Sequence, residues 1–195
     1  RAFRLMNKAM LLQQLHYGID TRNWIVEKGL ITGLEKAIIP DLNDQSTWQK
    51  SPDGSLRVGS WRPFQIAFIL INLHSMLDEK HPDRKMVDLI WFPTGGGKTE
   101  AYLGLSAYTI FLRKLKDKTD SGTSVLMRYT LRLLTAQQFQ RAAALICACE
   151  KIREENKDEL GTDRITIGLW VGELTPNKRG DATKTLKKMS QGKED

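Results

Sequence analysis

The residues best suited to chemistry form one run, Phe92-Pro93-Thr94-Gly95-Gly96-Gly97-Lys98-Thr99, between an apolar stretch and a stretch of good helix formers. Successive glycines let the backbone turn so that its N–H groups converge on an anion, an approach that side chains would block. A helix opening at Lys98 adds the partial positive charge of its N-terminus. In this pattern Lys98 reaches the β and γ phosphates of a nucleoside triphosphate, and the Thr99 hydroxyl ligates the Mg2+ that bridges them. The candidate nucleotide-binding residues are therefore Thr94, Gly95, Gly96, Gly97, Lys98 and Thr99, with Lys98 and Thr99 nearest the reacting phosphates. The general phosphate-loop pattern has glycine six residues before the lysine, and Phe92 stands there.

The loop must be held by the elements on either side of it. Hydrophobic periodicity predicts a helix over Pro63 to Asp78, a strand over Met86 to Phe92 and a helix from Lys98 to about Lys116. A strand over Ser124 to Tyr129, a long helix from about Leu131 to Glu155 with Phe139, Ala143 and Ile146 on one face, and a strand over Ile165 to Val171 follow. Alternating strands and helices imply an α/β fold with a parallel sheet covered on both faces. Right-handed crossovers then bring the C-terminal ends of the strands to one edge, where such sheets bind ligands.

Upstream, Arg1 to about His16 carries Leu5, Ala9 and Leu12 at helical spacing, and a second helix is expected over Arg22 to Ile39, weakened by Gly29 and Gly33. Residues Pro40 to Gly59 are rich in Pro, Gly, Ser, Asn and Asp, which places a boundary there. The expected organisation is a helical N-terminal segment with its linker over 1–58 and a nucleotide-binding unit over 59–195.

The 195 residues are 41% hydrophobic and 27% charged, enough for one buried core. Thirty Lys and Arg against 23 Asp and Glu give a net charge of +7, which suits phosphate-bearing partners. The longest apolar stretch, around Ile66 to Leu73, is far short of the roughly 18–20 residues of a membrane span, so no membrane association is expected. Cys147 and Cys149 lack the companions of a zinc site and read as reduced core residues of a cytoplasmic protein. The first residue is Arg1 and no signal peptide opens the chain, so a fragment of a longer protein is expected.

Several strings together resemble the superfamily 2 helicases and translocases. The run Pro-Thr-Gly-x-Gly-Lys-Thr is the helicase form of the phosphate loop, tolerant at the position of Phe92. Trp61-Arg62-Pro63-Phe64-Gln65 resembles the Arg-Pro-Tyr/Phe-Gln element ahead of the first strand in many of these motors. The resemblance implies that Gln65 reads the adenine edge of ATP, with Arg62 in support; a glutamine amide offers the donor and acceptor this requires. The residues alone leave open that Pro63 merely starts a helix, with Gln65 solvated.

Met127-Arg128-Tyr129-Thr130-Leu131-Arg132-Leu133-Leu134, followed by Gln137 and Gln138, resembles motif Ia, with Tyr129 where the family has proline. This implies nucleic-acid phosphate contacts from Thr130 and Arg132, and more weakly Arg128, contacts that fix register without reading bases. Thr130 as a helix N-cap is the plainer alternative. Gly168 to Pro176 resembles the stretch before motif Ib. Lys178, Arg179, Lys184, Lys187 and Lys188 form a basic segment suited either to a nucleic-acid path or to a solvated helix face.

Taken with Thr-Glu-Ala-Tyr-Leu-Gly after the loop, these strings are most similar to the large helicase subunit of DISARM, a bacterial phage-defence system. The resemblance spans roughly Trp61 to Gly172. It implies the first part of a RecA-like domain, an ATP-dependent motor on DNA, with RNA not excluded, and a second subunit of the same system in the bacterial cytoplasm. An Asp-Glu-x-His counterpart and an arginine finger are missing from the sequence, Asp163 and Glu173 being unsuited to the former. Both are expected in parts beyond this chain, including a second RecA-like lobe. The isolated polypeptide is therefore expected to turn over little ATP, and the parent protein to be the enzyme. Another P-loop ATPase or kinase, and an inert nucleic-acid-binding module, are the competing readings.

Overall fold

Apolar spacing turns directly into buried helix faces. Helix α1 (Ala2–Tyr17) buries Leu5, Met6, Ala9, Met10, Leu12 and Leu15, a stripe recurring every three or four residues. This computed structural model describes residues 1–17, 19, 23–36, 39–91, 96–129, 132–170 and 179–191, with the side chains of 132–136 outside the description.

Where a second helix was expected over Arg22 to Ile39, the chain forms a hairpin instead: β1 (Trp24–Glu27) pairs antiparallel with β2 (Leu30–Leu34). Trp24, Ile25 and Val26 favour strand. Lys28 and Gly29 both take positive φ, 51° and 77°, as a tight hairpin turn demands. Gly29 thus reverses the chain. Residues 40–60 form turns and a single 3-10 turn at Gln45–Thr47, capped by the Asp44 carboxylate.

Helix α2 (Pro63–Leu77) begins with proline at its first position, where the missing N–H costs nothing. Helix α3 (Lys98–Lys116) is the centre of the structure. Its residues 103–108 are buried without interruption, so it has no solvent face there. It packs against α1, α2, α4 (Arg132–Glu155) and the short α5 (Lys157–Leu160), and α1 also lies along α4. Leu5, Met6, Ala9, Ile69, Leu103, Phe111, Leu145, Cys149, Ile152 and Leu160 share one core. Burial pushes the Cys149 thiol far above its usual range, whereas Cys147 is exposed, and both are free. Helix α6 (Arg179–Ser190) buries none of its residues and lies beside β1.

The segments 86–91, 124–129 and 164–170 carry no regular secondary structure. The β1–β2 pair is the sheet found among the described residues. The parallel sheet expected from the three segments is not among the described ladders, and Val87, Leu89, Trp91, Leu126 and Trp170 stand largely exposed. No helix among the described residues is long and apolar enough to cross a membrane.

The far end of α3 is tied down by a buried arginine. Arg153 grips the Glu150 carboxylate with two bonds of 2.6 and 2.7 Å and donates a third, 2.9 Å, to the Gly161 carbonyl. Glu150 also accepts from the Ile165 N–H at 2.9 Å. The Arg153 hydrogen bonds, then the Ile165 N–H, hold the Glu150 carboxyl below the usual carboxylate range. Gly161 takes φ +78°, and a Cβ there would lie 2.1 Å from the Lys118 carbonyl oxygen.

Two outcomes follow. Gly161→Ala combines a left-handed backbone with a backbone clash and destabilises by about 2–5 kcal/mol; a denaturant midpoint equal to wild type would show that the close approach to Lys118 is absent in solution. Because the Glu150 carboxyl is depressed on folding, its contribution is present above the unfolded value of about 4.3 and is lost as pH falls below it. Gln at position 150 should therefore remove that part of the acid limb, read as a flatter stability profile on acidification.

Candidate nucleotide-binding site

Helix α3 starts at Lys98, the position expected for the end of the phosphate loop. Its N-cap, Gly97, sits at φ 90°, ψ 26°, a left-handed conformation that glycine adopts without penalty. A Cβ on Gly97 would also come within 2.7 Å of the Gln65 amide nitrogen. The backbone by itself calls for glycine here, and a side chain would also have to displace the tip of Gln65.

That neighbour comes from the start of α2. Gln65 is 4% exposed, so it is not the solvated residue of the plainer reading. Its Oε1 accepts from the Arg62 N–H at 2.8 Å, closing the first turn of α2, and its Nε2 donates to the Gly97 carbonyl at 2.7 Å. The Arg62 guanidinium donates to the Gly96 carbonyl at 2.8 Å. The N-cap residue of α2 and a residue in its first turn therefore hold two successive carbonyls of the loop.

A trans peptide points its N–H opposite to its C=O, and no described peptide bond is cis. With the Gly96 and Gly97 carbonyls drawn toward α2, the N–H groups of Gly97 and Lys98 are aimed the other way. They lie at the first turn of α3, where helix amides point along the axis toward the N-terminal end. This is the disposition an anion needs at a helix start.

Lys98 and Thr99 lie half-buried in the first turn of α3. The next residue, Glu100, forms an ion pair with Arg141 of α4. Glu100 and Arg141 tie the loop helix to the helix that follows the second expected strand. Among the described residues no cluster of three or more His, Cys, Asp or Glu could hold a metal. Mg2+ at nucleotide phosphates needs only one or two protein oxygens, and with Glu100 engaged by Arg141 the Thr99 hydroxyl fits that role.

The structure thus brings Arg62, Gln65, Gly96, Gly97, Lys98 and Thr99 together. Thr94 and Gly95 lie outside the described residues, as do Thr130 and Glu173. Arg132 opens α4, its side chain outside the description, and Arg128 is exposed. Two further pairs escaped the sequence: Trp61 Nε1 donates to Asn7 Oδ1 at 2.7 Å, and the Gly59 N–H to Gln14 Oε1 at 2.8 Å. Both bind α1 to the segment leading into α2. Nothing local signals them, since the partners are 54 and 45 residues apart.

No family model matches the chain. Over 130 residues, 63% of its length, the chain is 51% identical to DISARM protein DrmA of Bacillus paralicheniformis. It is related to that protein. The chain spans 12% of the length of the DrmA relative.

Gln65→Ala removes both amide bonds of the clasp. Amides at the starts of α2 and α3 should then exchange with deuterium about fivefold faster, the equivalent of about 1 kcal/mol, while residues 105–111 in the middle of α3 keep their protection. Unchanged exchange at residues 97–100 would show that the clasp does not constrain the loop.

Proposed function

We propose that this chain is the ATP-binding part of an ATP-dependent DNA motor that acts in bacterial anti-phage defence. The observation that carries the reading is the pair of loop carbonyls held by Arg62 and Gln65, which turns the adjoining amides outward at the start of α3. Identity to the DrmA relative supports the defence role, and the motif strings support the motor.

In this reading the Gly96–Lys98 backbone cradles the phosphates and Lys98 offsets charge on the β and γ groups. Thr99 holds Mg2+, which when bound neutralises the charge developing on the transferring phosphoryl group. Gln65, or a group that replaces it, faces the adenine; to do so it must give up the Gly97 carbonyl or the Arg62 N–H. In the whole protein the apolar stretches 86–92, 124–129 and 165–171 become strands of a RecA-like parallel sheet. Thr130, Arg132 and Arg128 contact DNA phosphates, with RNA as an alternative track. The carboxylate that orients water, the arginine finger, a second RecA-like lobe and a second defence subunit lie beyond this chain, and the setting is the bacterial cytoplasm.

The test is ATP hydrolysis by the full-length protein with single-stranded DNA, double-stranded DNA or RNA. One nucleic acid should stimulate turnover, and Lys98→Ala should lower kcat by about a hundredfold or more. Turnover indifferent to nucleic acid would instead favour another P-loop enzyme. Salt-sensitive binding without turnover would favour an inert binding module.

A further inference from the structure

A cleft of about 630 Å³ opens beside the loop, bounded by Asn7, Met10, Leu11 and Gln14 of α1, by Trp61 and Arg62, and by Gln65, Gly97 and Glu100. Its volume is within the range of small-ligand sites, about 300–1,000 Å³. One wall is therefore α1, a helix that no motif of the loop or of the α2 start includes. We propose that α1 forms a wall of the nucleotide site and that Gln14 is a base-reading residue, its Nε2 donating to an acceptor on the base edge. This inference rests on the reading of the loop as a nucleoside triphosphate site.

The wall suits a planar heterocycle. Met10 is 3% exposed and gives an apolar floor, Leu11 is half-buried, and Trp61 is pinned in place. The indole N–H of Trp61 is held by Asn7, and its ring edge packs on Gly104 of α3, where a Cβ would lie 2.8 Å from it. Apolar surfaces with few polar groups at the edge are the usual composition of such sites.

Among the cleft amides, Gln14 is set apart by a nitrogen that makes no bond to the described residues, whereas Gln65 and Asn7 each donate one N–H to a backbone carbonyl. Gln65 uses its oxygen on the Arg62 N–H and its nitrogen on the Gly97 carbonyl. Asn7 uses its oxygen on Trp61 and its nitrogen on the Phe3 carbonyl. Gln14 uses only its oxygen, on the Gly59 N–H. Among the described residues its Nε2 has no partner. A backbone N–H can only donate, so the Gln14 amide cannot flip without losing that bond. Gln14 lines the cleft, and its Nε2 is a donor of the kind that suits ring nitrogens or carbonyl oxygens of a base.

The test compares ATP with inorganic tripolyphosphate, which has the phosphates and no base, in calorimetric titrations of the full-length protein. Gln14→Glu keeps an acceptor for Gly59 and removes the donor; Gln14→Leu removes both without adding charge. Each should weaken ATP by about fivefold more than tripolyphosphate, the loss of one hydrogen bond. Equal weakening of both ligands by both variants, or no effect, overturns the role of Gln14 and leaves the phosphate site standing. Equal affinity of wild type for ATP and tripolyphosphate overturns base reading as well. If wild type binds neither ligand, or Lys98→Ala weakens neither, the nucleotide reading itself fails and this inference with it. Unchanged denaturant midpoints of the variants exclude loss of fold as the cause.

Discussion

Helix α3 has nowhere to move. Its residues from Leu103 to Tyr108 are all buried, and α1, α2, α4 and α5 each pack against it. A surface helix can shift by sliding over solvent; one enclosed on every side shifts only by opening cavities or forcing clashes in its neighbours, because interiors are close-packed. The consequence is felt at its first turn. Lys98 and Thr99 sit at the start of this enclosed helix, so the group expected to touch phosphate is anchored to the core.

Rigidity at one end needs an anchor at the other, and the structure supplies it with side chains whose roles are purely positional. Arg153 is almost fully buried, and burying a guanidinium unpaired would be strongly unfavourable. Glu150 and the Gly161 carbonyl satisfy it, and in doing so fix the turn that brings Gly161 against Lys118, just past the end of α3. Arg113 does the same for the loop that leaves α3, bonding Asp120 twice and the Thr123 carbonyl once. The Asp120 carboxyl is held low chiefly by that arginine.

Legibility in the sequence tracked the distance over which each interaction acts. The starts of α2 and α3 were readable, because Pro63 at a first helical position and a glycine run before Lys98 are local signals. The hairpin is obscured for a local reason too: Gly29 inside an apolar pattern reads as a weak point in a helix, whereas the strand-forming Trp24-Ile25-Val26 makes it the second residue of a tight turn. The clasp of Arg62 and Gln65 on Gly96 and Gly97 was half legible. The sequence singles out these residues but not their partners, 34 and 32 positions away. Glu100 with Arg141, 41 positions apart, left no trace in spacing at all.

The surfaces that remain open are as informative as those that are closed. Helix α2 is rich in apolar residues but buries only Gln65 and Ile69, leaving Leu70, Ile71 and Leu77 exposed. Val87, Leu89, Trp91, Leu126 and Trp170 are exposed as well, on three segments without ladder partners among the described residues. Strand pairing is the arrangement that satisfies backbone groups beside such apolar side chains. The buried cluster of α1, α3 and α4 needs none of these residues. The helical half of the structure is therefore self-consistent as it stands, and the apolar half is the part whose packing would be satisfied by a sheet. The loop lies where the two meet, its carbonyls fixed by α2 and its helix fixed by the core.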